Sequence, residues 1–418
     1  MHGPFLLLCA MWLLIAGLAT PAAASAFIPG PDGKFWIAGE GIMASFVPYG
    51  ASISNLVVRD RLGVERDVVM GFDNAVSYTM DKAHPHLGGV PGRYANRIKN
   101  STFAIDGEVF HVAANENKAP PAHPEGLNTL HGGPDGWDWR NFTVVAHTKS
   151  SITFSIVDPD GKEGFPGEVV SYITYTMGRL TWDAKMVAIA TTKKTPIMLS
   201  SHTYWNLDGF GNTETGTALN HTLHLPYSGQ RIAVDNILVP TGEILANPAG
   251  SVNDFWSAPK QLAAGFRDPA IRGNCGLNCT GYDSCWLVSR PPQHDWRAPG
   301  AYVASLASAW SGIRLDVYSD QDAFQMYSCG GQNGSFPLKQ TQTRPRGPAA
   351  GTHGGPGGPG ALGHGRPRTV PQYGCVVMEV QDWIDGINHP EWGRLDKQVF
   401  GPGGDPYVLQ VSHRFRVE

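Results

Sequence analysis

The 418-residue chain has little charge: Asp, Glu, Lys and Arg make up 16% of it, and the formal balance is −4. Without a basic surplus it lacks the electrostatic footprint of a nucleic-acid binder. Beyond the N-terminus no apolar run approaches the roughly 20 residues that cross a bilayer, so no stable membrane insertion is expected. Long amphipathic stretches of helical period are missing, which argues against a helical fold. The Gly-x-Ser-x-Gly elbow, the P-loop, His-Glu-x-x-His and the dinucleotide Gly-rich fingerprint are absent, and with them the commonest nucleophile, phosphate and zinc chemistries. Cysteine is scarce, six in all.

What is abundant is glycine (51) and proline (32), the residues of turns between short strands. Phe35–Ala38, Ala44–Pro48, Ile53–Val58 and Asp67–Phe72 read as strands separated by turn sequences. Phe103–Phe110 places Asp106-Gly107 between two apolar runs, a strong hairpin signal. Runs at 142–145, 152–157, 169–177 and 180–189 continue the pattern, and Cys375–Val380 adds a late strand. The expectation is an all-β chain with one domain over 27–418.

Residues 1–26 read as a signal peptide. Phe5–Leu18 is apolar but short, and Pro21–Ala26 supplies the small residues of a cleavage site after Ala24 or Ala26. The protein is therefore expected to be secreted. Its remaining cysteines are Cys275, Cys279, Cys285, Cys329 and Cys375, an odd set that leaves at least one thiol without an intramolecular partner. Asn-x-Ser/Thr sequons at Asn100, Asn141, Asn220, Asn278 and Asn333 fit a glycoprotein. The segment 338–373 is rich in Gly and Pro and is expected to be a disordered insertion, since such composition buries too little apolar surface to offset ordering entropy. Cys329 and Cys375 flank it, and a disulfide between them would pin its base.

Chemistry has several candidate seats. Ser200–Leu207 places His202 among hydroxyls, an amide and aromatics; in a regular strand Met198, Ser200, His202, Tyr204 and Asn206 would share a face. Gly92–Ile98 offers Arg93, Asn96 and Arg97. Leu130–Gly133 sets His131 before two glycines, where backbone can approach a ligand closely. Gly281–Trp286 carries Asp283 among aromatics, and Phe324–Tyr327 carries Gln325. Glu379 is the least bland: it sits in Val376–Asp382 on a strand face opposite Met378 and Val380, and a carboxylate in such surroundings is rarely buried without a partner.

Taken in order, these motifs resemble the aldose 1-epimerase (galactose mutarotase) family over nearly the whole chain after residue 26. Asp67–Asp73, Gly92–Ile98, Leu130–Gly133, Ser201–Leu207, Pro240–Ile244, Gly281–Asp283, Gln325–Tyr327 and Glu379–Trp383 carry the resemblance. It implies a large antiparallel β-sandwich, a monosaccharide bound in an open cleft and no cofactor. It also implies that His202 is the ring-oxygen acid and Glu379 the general base. His131, Arg93, Asp283 and Gln325 would bind substrate, with Asn96 in support. Ser201 departs from the pattern, since many members have Asn there. The implied activity is interconversion of α and β anomers of a free aldose. The rivals are a hexose-6-phosphate 1-epimerase, for which no cationic phosphate site is evident, and a non-catalytic sugar-binding protein on the same fold.

Overall fold

The computed structural model describes residues 27–291, 295–347 and 369–418. The expected signal peptide, 1–26, and the middle of the Gly/Pro-rich segment, 348–368, lie outside the described residues.

Two large antiparallel sheets carry the fold. One has nine strands in the order Lys260–Gln261, Thr222–His224, Tyr302–Ala307, Ile313–Ser319, Tyr407–Val417, Thr181–Ala190, Val169–Gly178, Ser151–Asp158 and Thr143–His147. The other has six: Tyr204–Trp205, Val376–Gln381, Ala323–Tyr327, Asp283–Leu287, Gln230–Val234 and Pro240–Ala246. A four-stranded sheet, Phe35–Gly39 to Glu65–Asp67, adds a further wall. One continuous core joins all three, from Phe46 and Leu56 through Phe154, Tyr175 and Trp182 to Trp205, Trp286, Met326 and Met378. Each such buried side chain contributes about 1.5–3 kcal/mol, against ~0–1 kcal/mol for a surface ion pair, so the apolar alternation sets the register. Among the described residues, α-helix is confined to short pieces such as Val76–Met80 and Leu395–Gln398.

The expected strands appear close to their predicted bounds, and the Asp106-Gly107 hairpin is built, with both residues at positive φ (52° and 85°). Three expectations are corrected. Of the run at Asp67–Phe72 only Asp67 is strand, as the last residue of Glu65–Asp67; its side chain turns inward to meet Lys339 Nζ at 2.8 Å. The stretch around His202 is not a regular strand either. Strand geometry is limited to Thr195–Pro196 and Tyr204–Trp205, and all residues from 197 to 203 are buried, so no two-residue alternation divides them into faces.

The Gly/Pro-rich segment is narrower than composition suggested. Lys339 is buried and donates to Ser54 O at 2.5 Å, and Gln342 donates to Val69 O at 2.8 Å. Val370 is fully buried, and Pro337 bridges Thr369. Specific polar anchors hold both shoulders, and bulk composition does not register these. Disulfides join Cys329 to Cys375, at the base of the segment, and Cys275 to Cys279; Cys285 is the buried free thiol. The asparagines of all five sequons are exposed.

Candidate active site

The six-stranded sheet has one apolar face and one polar face. Val376, Met378 and Val380 enter the core; Glu379 projects the other way with Val377 and Gln381. Gln325 lies directly across from Glu379 on the neighbouring strand. The next strand begins at Asp283, whose Oδ1 accepts from Gln325 Nε2 at 2.6 Å. Three functional side chains are thus placed by strand register alone.

Two loops bring the remainder. Arg97 pairs with Leu130 in a short ladder, and His131 N–H donates to Asn96 O at 3.1 Å. Asn96 N–H donates to His131 Nδ1 at 3.1 Å, which makes Nε2 the protonated nitrogen of the neutral ring. Gly132, at φ 86°, lets the loops meet: a Cβ there would lie 2.0 Å from Gly92 O. The close approach expected of this glycine is therefore to the neighbouring loop. His202 is held through its backbone, its N–H donating to Gly89 O at 2.9 Å and its O accepting from Gly88 N–H at 3.0 Å.

His131, His202 and Glu379 converge, with one nitrogen or oxygen of each lying within 4.8 Å of the others. This is also the group among the described residues whose donors would suit a metal ion. Among the described residues, Glu379 Oε1, His202 Nδ1 and Gln325 Oε1 have no hydrogen-bond partner. Burial pushes Glu379 up to about 8, with Asp283 adding to the rise and Arg97 opposing it. Burial also pushes His202 down to about 3, helped by His86. His131 is driven well below the usual imidazole range by burial and by His86, His202 and Arg97. Asp283 is raised by burial, against the pull of Arg97 and Gln325. In the free site the proton of the Glu379–His202 pair therefore rests on the carboxyl.

Arg93 is corrected. Its guanidinium is fully buried away from this cluster. Nε donates to Asp158 Oδ2 at 2.8 Å, Nη1 to Pro166 O, Gly167 O and Thr195 Oγ1, and Nη2 to Asp158 O and Pro159 O. No donor remains for a substrate. Arg97 is the arginine that faces the cluster: Nε and Nη2 hold Glu116 at 2.9 and 2.7 Å, while its charge reaches both Asp283 and Glu379. His86 was also missed; its ring lies against His131 and His202 and its Nδ1 is bonded to Asp138. Of the aromatics near these motifs, Trp205 and Trp286 are core side chains, whereas the Tyr204 ring lies 4.8 Å from that of His202. Asn206 is structural, donating to Gly374 O at 2.8 Å.

The chain matches known proteins over most of its length. A family model described as aldose 1-epimerase matches residues 36–399. The chain is 40% identical over 399 residues to a probable aldose 1-epimerase of Arthroderma benhamiae, covering 91% of this chain and 86% of that protein. It is 29% identical over 361 residues to galactose mutarotase of Sus scrofa, covering 86% and 88%. The solved structure of an aldose epimerase homologue from C. elegans superposes with a TM-score of 0.72 at 23% identity, covering 92% of this chain and 99% of that one.

Proposed function

The chain belongs to the aldose 1-epimerase family, and on that premise we propose how its site interconverts the α and β anomers of a free aldose such as glucose or galactose. Glu379 accepts the O1 proton and His202 donates one to the ring oxygen as the C1–O5 bond breaks and the C1–O1 carbonyl forms. The C1–C2 bond rotates. The ring then closes on the other carbonyl face: the O5 proton returns to His202 and Glu379 gives its proton to O1. The cycle needs one proton shared by two groups and no net uptake.

That requirement matches the pair. In the free site the carboxyl holds the proton, since burial raises Glu379 to about 8 and lowers His202 to about 3. The bound sugar supplies the hydrogen bonds that favour the charged arrangement, O1–H donating to the carboxylate and the ring oxygen accepting from the imidazolium. Asp283, Gln325, His131 and Arg97 orient the hydroxyls, with Asn96 fixing the His131 tautomer. The observation that carries the reading is the convergence of Glu379, His202 and His131 within 4.8 Å.

Polarimetry or NMR on freshly dissolved α-galactose and α-glucose tests it. Glu379→Gln and His202→Asn should each lower kcat by roughly 10²–10⁴-fold with the fold intact, the range of a positioned acid or base. Full activity in either variant, or sugar binding without faster equilibration in the wild type, would overturn the assignment. We also propose that the protein is secreted as a glycoprotein, on the strength of its N-terminal pattern, two disulfides and exposed sequons. Recovery from the medium with a new N-terminus after Ala24 or Ala26 is expected; retention in the cell contradicts it.

A further inference from the structure

Three imidazoles meet at the site. The His86 ring centroid lies 4.5 Å from that of His131 and 5.6 Å from that of His202, and the latter two are 5.3 Å apart, so the rings close a triangle. His86 Nδ1 is bonded to Asp138, whose side chain is wholly shielded from solvent. A carboxylate on Nδ1 makes that nitrogen the protonated one and fixes the ring's rotation, as the outer partner of a functional histidine does.

The dyad is built on the site's own loops. Asp138 lies in the turn Trp137–Trp139, and Trp137 N–H donates to Gly92 O at 2.9 Å, in the segment that carries Asn96 and Arg97. His86 itself precedes Gly88 and Gly89, which bond the His202 backbone. Its side chain is 12% exposed, and among the described residues only Asp138 bonds to the ring. Among the described residues Nε2 has no hydrogen-bond partner, and the ring stands against those of His131 and His202.

We propose that His86, oriented by Asp138, hydrogen-bonds a hydroxyl of the aldose and so sets the sugar's position and the enzyme's preference among sugars. This rests on the reading of Glu379 and His202 as the acid–base pair. It makes His86 a specificity-determining residue and Asp138 its positioning residue.

Mutarotation kinetics of the full-length protein test this with galactose, glucose and their monodeoxy analogues. His86→Phe should lower kcat/KM about tenfold through KM, the scale of one lost hydrogen bond, with kcat within about threefold of wild type. For one deoxy position, the preference for parent over deoxy sugar should collapse in His86→Phe. Asp138→Asn should raise KM in the same direction and add little in the double variant, because the two residues act as one unit. His86→Gln, which keeps a polar end, should recover part of the loss. An unchanged KM and an unchanged deoxy-sugar profile in His86→Phe would overturn the proposal and leave His86 as packing. His202→Asn separates the two ideas. If it retains full kcat, the acid–base reading fails; if it is inactive while His86→Phe behaves as wild type, only this inference fails.

Discussion

Arg93 and Arg97 stand four residues apart in one loop and serve different regions of the molecule. Arg93 points into the join between the loop and the nine-stranded sheet, where Asp158, backbone carbonyls and Thr195 take its donors. Arg97 points toward the polar face of the six-stranded sheet, with Glu116 on one edge and the charges of Asp283 and Glu379 within reach. A guanidinium whose donors are all consumed by the protein can act only on stability. One that shares its field with site carboxylates acts on chemistry. The same residue type in the same motif is thus assigned by where its donors end.

The largest expected difference between the two lies in folding. Arg93→Met strips several buried carbonyls of their donors and leaves Asp158 with Arg140 as its remaining cationic partner, at a cost of up to about 3–5 kcal/mol, the scale of breaking a buried pair. The denaturant midpoint should fall at unchanged slope, while the folded fraction keeps its kcat. An unchanged midpoint, or a selective loss of kcat, would erase the distinction. Arg97→Met should do the reverse, lowering kcat/KM by about tenfold to a hundredfold, the range of a charged hydrogen bond, with a much smaller change in midpoint. Because Arg97 opposes the rise of Glu379, its loss should also move the alkaline limit of activity upward. A limit that stays put would mean that Arg97 does not act on that carboxylate.

Much of this was legible in the sequence where local pattern controls structure. Glu379 stood out because it breaks an apolar strand, and register then carried Gln325 and Asp283 beside it. The Asp106-Gly107 turn and the strands around it followed from residue chemistry. The choice of Arg93 over Arg97 failed because neighbours in sequence, Gly92 and Tyr94 for one and Asn96 and Ile98 for the other, do not report where a guanidinium's donors end. What decides between them is the loop backbone, including Asn96 at φ 59°, and no periodicity reports it. His86 escaped for a similar reason. It lies in a turn-like His84-Pro85-His86 sequence, and only the fold sets it against His131 and His202. Its one sequence signal was position, a histidine entering directly on the Gly92–Ile98 motif. The 338–373 segment was overextended because Lys339 and Gln342 find buried partners more than 260 residues away in the chain.

Burial resets the Glu379–His202 pair so that it carries one proton across the neutral range. The pH dependence of wild-type kcat/KM, which reports the free enzyme, tests it most directly. Below about 3 both groups are protonated and no base remains; above about 8 neither is, and no acid remains. The rate constant should hold a plateau between these limits and fall as pH rises through about 8. An alkaline fall centred near the ordinary imidazole value of about 6.5 would contradict it, because the pair would then be titrating as groups in water do.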